Sequence, residues 1–87
     1  MNKVIAVEAN DDYTLDLKFN DGSCKRFDLK PYLDFGVFQE LRDLNYFKRV
    51  RLAFDTVQWP HEQDISPDTL YLEGMLLSDT GQEKTVA

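Results

Sequence analysis

Val57-Gln58-Trp59-Pro60-His61-Glu62-Gln63-Asp64-Ile65-Ser66-Pro67-Asp68-Thr69-Leu70-Tyr71 contains the change from strand to helix that decides the fold. Val57 and Trp59 share one face of an extended segment, and Pro60, which has no amide hydrogen to donate, ends it. After a short acidic loop the chain has every element of a helix start. Ser66 is placed as N-cap, Pro67 at the first helical position, Asp68 beside the positive end of the dipole, and Ile65 and Leu70 as a hydrophobic staple. The spacing predicts a helix from Pro67 to about Met75. From Ser78 to Ala87 the chain is polar and aperiodic, which predicts a flexible tail after a single domain spanning 1–77.

Upstream, Val50 and Leu52 alternate in the same way, and a two-residue Phe54-Asp55 turn pairs Leu52 with Val57 and Val50 with Trp59, giving a second hairpin. The first thirty residues also alternate: Ile5, Val7 and Ala9, then Tyr13, Leu15, Leu17 and Phe19, then Phe27 and Leu29. A three-residue Asn20-Asp21-Gly22 loop sets Leu15 against Phe27, Tyr13 against Leu29 and Asp16 against Arg26, with Gly22 left-handed. A two-residue loop would mix the faces. With Asn10 to Asp12 as the first loop, Val7 faces Leu15 and Ile5 faces Leu17. Between the hairpins, Leu33, Val37, Phe38, Leu41 and Leu44 fall at helical spacings, with Pro31 able to open a turn and Gly36 able to break it. A helix near Val37 to Leu44 is expected to cover the sheet face. The fold class is therefore α+β: a three-stranded antiparallel meander, a helix, a second β-hairpin and a C-terminal capped helix.

A chain of 87 residues, 43% hydrophobic, suits one small domain that buries roughly 60% of its unfolded surface. The net charge of −6 opposes nucleic-acid phosphates and anionic lipid and favours a basic protein partner. Cys24 is the only cysteine, which excludes an internal disulfide and fits a reducing cytoplasm. Neither a signal peptide nor an apolar run of about 18 residues is present, so no membrane association is expected.

Chemistry is sparse. His61, the only histidine, lies near Glu62 and Asp64 and offers a general base or metal ligand. A single histidine with neither nucleophile nor second ligand reads more simply as an exposed loop residue, so no metal, cofactor or catalytic residue is assigned. Cys24, across from Lys18 on the outward face, reads as an inert strand residue. Lys48, Arg49 and Arg51 form the densest basic run. Arg49 and Arg51 on one strand face could hold an acidic group, although a solvated edge that discourages strand pairing is the simpler account. Trp59 and Tyr71 fit either a recognition surface or the core, and the core is the commoner fate of aromatics in so small a domain. The interaction candidates are Trp59, His61, Asp64, Tyr71, Arg49 and Arg51. Nothing requires a homodimer, although the second hairpin and the outer sheet edge offer surfaces for one.

The opening strand, Tyr13 to Phe19 with Asp21-Gly22, Phe27-Asp28-Leu29, Phe47, and above all Trp59-Pro60, Asp64-Ile65, Pro67 and Leu70-Tyr71 together resemble the bacterial domain-of-unknown-function family 2442 over nearly all of the chain up to Leu77. The resemblance implies a small mixed β and α fold with no enzymatic activity, commonly encoded beside another small domain. It thus implies an antitoxin-like partner of that neighbour. Acidity suits such a role toward a basic protein. A small-ligand or peptide-binding regulatory domain, using the sheet face or the Trp59 loop, is the alternative.

Overall fold

The computed structural model describes residues 1–78, so the tail expected over 78–87 lies outside the described residues except for Ser78. Two antiparallel sheets and several short helical segments make an α+β fold. Strands β1 (Val4–Ala9), β2 (Thr14–Phe19) and β3 (Cys24–Asp28) form the expected meander. Between β2 and β3 the expected register holds, with Leu15 opposite Phe27 and Asp16 opposite Arg26. Gly22 closes the loop at φ 89°, and Asp21 accepts from the Ser23 amide and hydroxyl.

The first hairpin is displaced by two residues from the expected register: Val7 faces Leu17, and Ala9 faces Leu15. Its loop is Asp11-Asp12-Tyr13, closed between Asn10 and Thr14, with Tyr13 at φ 65°. Two features hold that loop. Asp12 accepts from the Thr14 amide and hydroxyl, and Tyr13 stacks on Phe47 at 5.3 Å while its hydroxyl donates to the Arg42 carbonyl. A bulge between Val4 and Ala6 buries Val4 and turns Ile5 outward, contrary to the alternation expected there.

After a 3-10 turn at Lys30–Tyr32, the helix expected over Val37 to Leu44 is instead two short pieces, a 3-10 segment at Gly36–Arg42 and α1 (Leu44–Phe47). Pro31 lies in the first turn as expected, and Asp43 caps α1 by accepting from the Asn45 amide. The tighter 3-10 winding sends Leu41 into the core but leaves Val37 exposed.

The second hairpin, β4 (Arg51–Ala53) and β5 (Thr56–Gln58), pairs Leu52 with Val57 as expected. Phe54 and Asp55 take φ 54° and 66°, so both central residues of the turn are left-handed, which matches the twist of the flanking strands. A two-residue strand, β6 (Asp64–Ile65), joins β5 antiparallel and was not foreseen. Ser66 then caps α2 (Pro67–Glu73) through the Thr69 amide. This helix ends two residues before the expected Met75, because Gly74 turns extended and its amide donates to the Leu70 carbonyl. A Cβ on Gly74 would lie 2.7 Å from that oxygen and 3.2 Å from Lys25 Cβ, so only glycine fits. The chain continues as β7 (Met75–Ser78), which adds to β3 to give the order β1-β2-β3-β7. Among the described residues no helix is long and apolar enough to cross a membrane.

The core lies between the inner face of the larger sheet (Leu15, Leu17, Phe19, Phe27) and a composite cover of Leu41, Phe47, Val57, Trp59, Ile65 and Leu70. The cover is therefore shared by the 30–47 segment, the second sheet and α2, where one helix had been expected. Trp59 is fully enclosed, stacks on Phe47 at 5.9 Å and donates its indole N–H to the Phe47 carbonyl at 2.8 Å. Trp59→Phe leaves that carbonyl with only the long bond from the Val50 amide at 3.4 Å and opens a small void. We expect a loss of about 2–3 kcal/mol in urea unfolding followed by circular dichroism, with the native spectrum retained.

Candidate functional site

Pro60, His61 and Glu62 form the loop between β5 and β6. Trp59 N donates to Gln63 O at 2.9 Å, Glu62 N donates to Trp59 O at 2.8 Å, and Glu62 takes φ 72°. This tight turn places four polar side chains together. Buried Gln63 donates through Nε2 to the Val37 carbonyl at 3.1 Å and to Glu40 Oε1 at 2.9 Å, and its Oε1 accepts from the Tyr46 hydroxyl at 2.6 Å. That hydroxyl in turn accepts from the His61 amide at 2.9 Å. His61 Nδ1 meets Glu40 Oε2 at 2.7 Å, and the imidazole lies against the Tyr46 ring at 5.4 Å.

Glu40 is the acceptor for two donors, and the bonds from His61 and then Gln63 hold its carboxyl below the usual glutamate range. It therefore stays ionised and orients His61 with Nδ1–H inward. The histidine's carboxylate partner is thus Glu40, twenty-one residues upstream, and not Glu62 or Asp64. Among the described residues no group of His, Cys, Asp or Glu is arranged to hold a metal ion. The arrangement fastens the 3-10 segment to the turn.

A second polar group anchors α2. The Tyr71 hydroxyl donates to Asp21 Oδ2 at 2.6 Å, its ring meets Phe19 edge-on at 5.0 Å, and Lys25 Nζ sits 3.8 Å from the ring centroid while donating to the Tyr71 carbonyl at 2.6 Å. Bonds from Ser23 and Tyr71 lower the Asp21 carboxyl from 3.8 to about 2. Also in the last turn of α2, Glu73 Oε1 accepts from the Tyr32 hydroxyl at 2.6 Å.

The sequence candidates therefore scatter. Trp59 is withdrawn from any interaction surface, since the fused ring is large enough to fill the space between the two sheets and Phe47 meets its only polar atom. Tyr71 is half-buried and committed to Asp21 and Lys25. His61 and Asp64 are exposed on and beside the 60–62 turn. Arg49 and Arg51 do not share a strand face, because β4 begins at Arg51 and Arg49 closes the turn after α1 through its amide to the Tyr46 carbonyl. Arg51 donates to Gln58 Oε1 at 2.9 Å. Glu40, Tyr46 and Gln63 escaped the sequence reading because no local spacing links a glutamate in one segment to a loop 20 residues on. Cys24 sits opposite Lys18 as expected and, with Ala6, Val7, Asp16, Leu17 and Leu77, lines an open hollow of about 360 Å³ on the outer sheet face.

A family model described as "Protein of unknown function (DUF2442)" matches residues 4–74. No curated protein and no solved structure matches the chain.

Two expectations follow from the geometry. The Asp21 carboxyl is lowered in the folded state, so its contribution is complete above the unfolded value near 4 and is lost as pH falls toward about 2. Asp21→Asn should therefore lower stability at neutral pH and flatten the decline between pH 4 and 2 in acid-unfolding curves. Glu62→Gly relieves a left-handed non-glycine residue whose side chain is exposed. After the entropy cost of glycine, thermal unfolding should show a gain of about 0.5 kcal/mol.

Proposed function

Since the chain belongs to the DUF2442 family, to which no activity is assigned, we propose from its own surface that it is a non-catalytic protein-interaction module that docks a basic protein, antitoxin-like toward a small protein encoded beside it. The supporting observation is how the domain distributes its charge. Arg26, Lys30, Arg42 and Lys48 pair with Asp16, Asp28, Asp34 and Asp11, and Lys3, Lys18, Lys25, Arg49 and Arg51 make no ion pair among the described residues. Exposed Glu8, Asp43, Asp55, Glu62, Asp64 and Asp68 make no ion pair among the described residues. The surplus negative charge is thereby left facing outward, where it steers encounter with a basic surface. Glu62 lies in, and Asp64 just after, a turn fastened by the Gln63 network, which limits the ordering cost of docking there.

A regulatory domain for a small apolar ligand is the second reading, favoured by the hollow beside Cys24 and Leu77, whose volume is at the low end for ligand sites. Its test is a rise in melting temperature with a metabolite panel, lost on Cys24→Trp.

The interaction reading is tested by co-expressing the tagged protein with the product of the adjacent gene. We expect a stoichiometric complex at low salt that dissociates at high salt. Asp64→Lys together with Glu62→Lys should slow association by about tenfold or more. Growth arrest on expressing the neighbour alone, relieved by this protein, supports the antitoxin-like role; absence of arrest removes it. Absence of a complex at low salt removes the basic-partner reading.

A further inference from the structure

The sheets have four edges, and three are blunted. β1 carries the Ile5 bulge and gives its Val4 amide to Asp55 of the second hairpin; β4 is three residues long and begins with Arg51; β6 is two residues long and begins with Asp64. β7 has none of these devices. It is terminal in the order β1-β2-β3-β7, so one row of its backbone donors and acceptors is unpaired among the described residues. Its sequence, Met-Leu-Leu-Ser, contains no charge and no proline. Met75, Leu76 and Leu77 are 70, 50 and 44% exposed, and Leu72, just before them in α2, is 79% exposed. Apolar side chains and open backbone groups thus coincide on one short strand.

We infer that β7 pairs antiparallel with β7 of a second copy, joining two four-stranded sheets into one of eight. Charge selects this occupant. β7 carries no acidic side chain, and beside it Arg26 is paired with Asp16 and Lys25 is held on Tyr71, so nothing at this edge draws a basic partner. A second copy presents a strand with no charge to oppose, and a two-fold axis satisfies both open edges at once. The residues after Ser78, Asp-Thr-Gly-Gln-Glu-Lys-Thr-Val-Ala, are too polar to serve as an apolar cover. A contact of two four-residue strands is small, which sets the affinity in the micromolar-to-millimolar range. Because each copy carries a net charge of −6, added salt strengthens this contact, opposite in sign to docking of a basic protein.

Sedimentation equilibrium of the full chain from micromolar to millimolar concentration, at low and high salt, tests the inference. We expect a reversible dimer that tightens with salt. Met75→Lys and Leu77→Lys should each weaken it by about tenfold or more. Each makes the chain one unit less negative, which alone would reduce repulsion, so weakening reports on the strand itself. Amide exchange on the unaltered protein covers the case of a variant that misfolds: the β7 amides that face away from β3 should gain protection as the dimer fills. A monomer at every concentration overturns the inference, as does a dimer indifferent to both substitutions. Protection of those outward amides at concentrations where the chain is monomeric also overturns it. None of these results bears on the low-salt complex with a basic protein.

Discussion

The hydrogen bond from the Trp59 indole to the Phe47 carbonyl, made in a fully enclosed space, is the constraint on which the other contacts depend. The indole is the largest apolar body in the core, and its single donor must be met or the burial fails. Meeting it fixes the end of α1 against β5. Phe47 is thereby aimed at Tyr13, and Tyr13 closes the first hairpin. One bond thus links the C-terminal half of the 30–47 segment, the second sheet and the turn between β1 and β2. None of the three is long enough to be stable alone.

The same enclosure explains the shape of the polar network. With Trp59 inward and Pro60 next, the chain must reverse within three residues to return as β6, and Glu62 takes the left-handed conformation to do so. Gln63 then arrives buried, and an amide in that position needs both its oxygen and its nitrogen paired. Tyr46, Glu40 and the Val37 carbonyl supply those partners, and no buried side-chain polar atom among the described residues is left without one. His61 is drawn in last, from the solvent side. His61, exposed in the loop as the sequence suggested, is the outer member of this clasp.

What the sequence revealed depended on whether a rule was local. The β2–β3 register was legible because face matching and the left-handed demand on Gly22 agreed. The β1–β2 register was not, since a two-residue slip preserves every face; Tyr13 decides it through Phe47 and the Arg42 carbonyl, both far along the chain. The start of α2 was fully written in Ser66, Pro67 and Ile65. Its end was hidden, because Met75-Leu76-Leu77 continues a helical pattern as well as a strand, and only the approach of Gly74 to Lys25 and the Leu70 carbonyl settles it. His61 appeared as a candidate, while Glu40 and Gln63, which build the network beside it, left no signal of spacing.

The two surface features, an acidic exterior and one apolar edge, constrain each other. An uncharged strand with an open backbone is an aggregation hazard in a domain that offers several such edges, because pairing can then continue from copy to copy. Here the bulge in β1, the brevity of β4 and β6, and their Arg51 and Asp64 leave β7 as the single unguarded edge among the described residues. An antiparallel pair formed through it has no second open edge of the same kind, so association closes at two. Long-range repulsion between acidic surfaces keeps that pairing weak and reversible. The outward carboxylates that oppose self-association at a distance are the same ones available to a basic surface, and docking of such a surface lowers the repulsion between copies. On the proposed reading, docking of a basic protein and pairing through β7 are therefore coupled through net charge without sharing a residue.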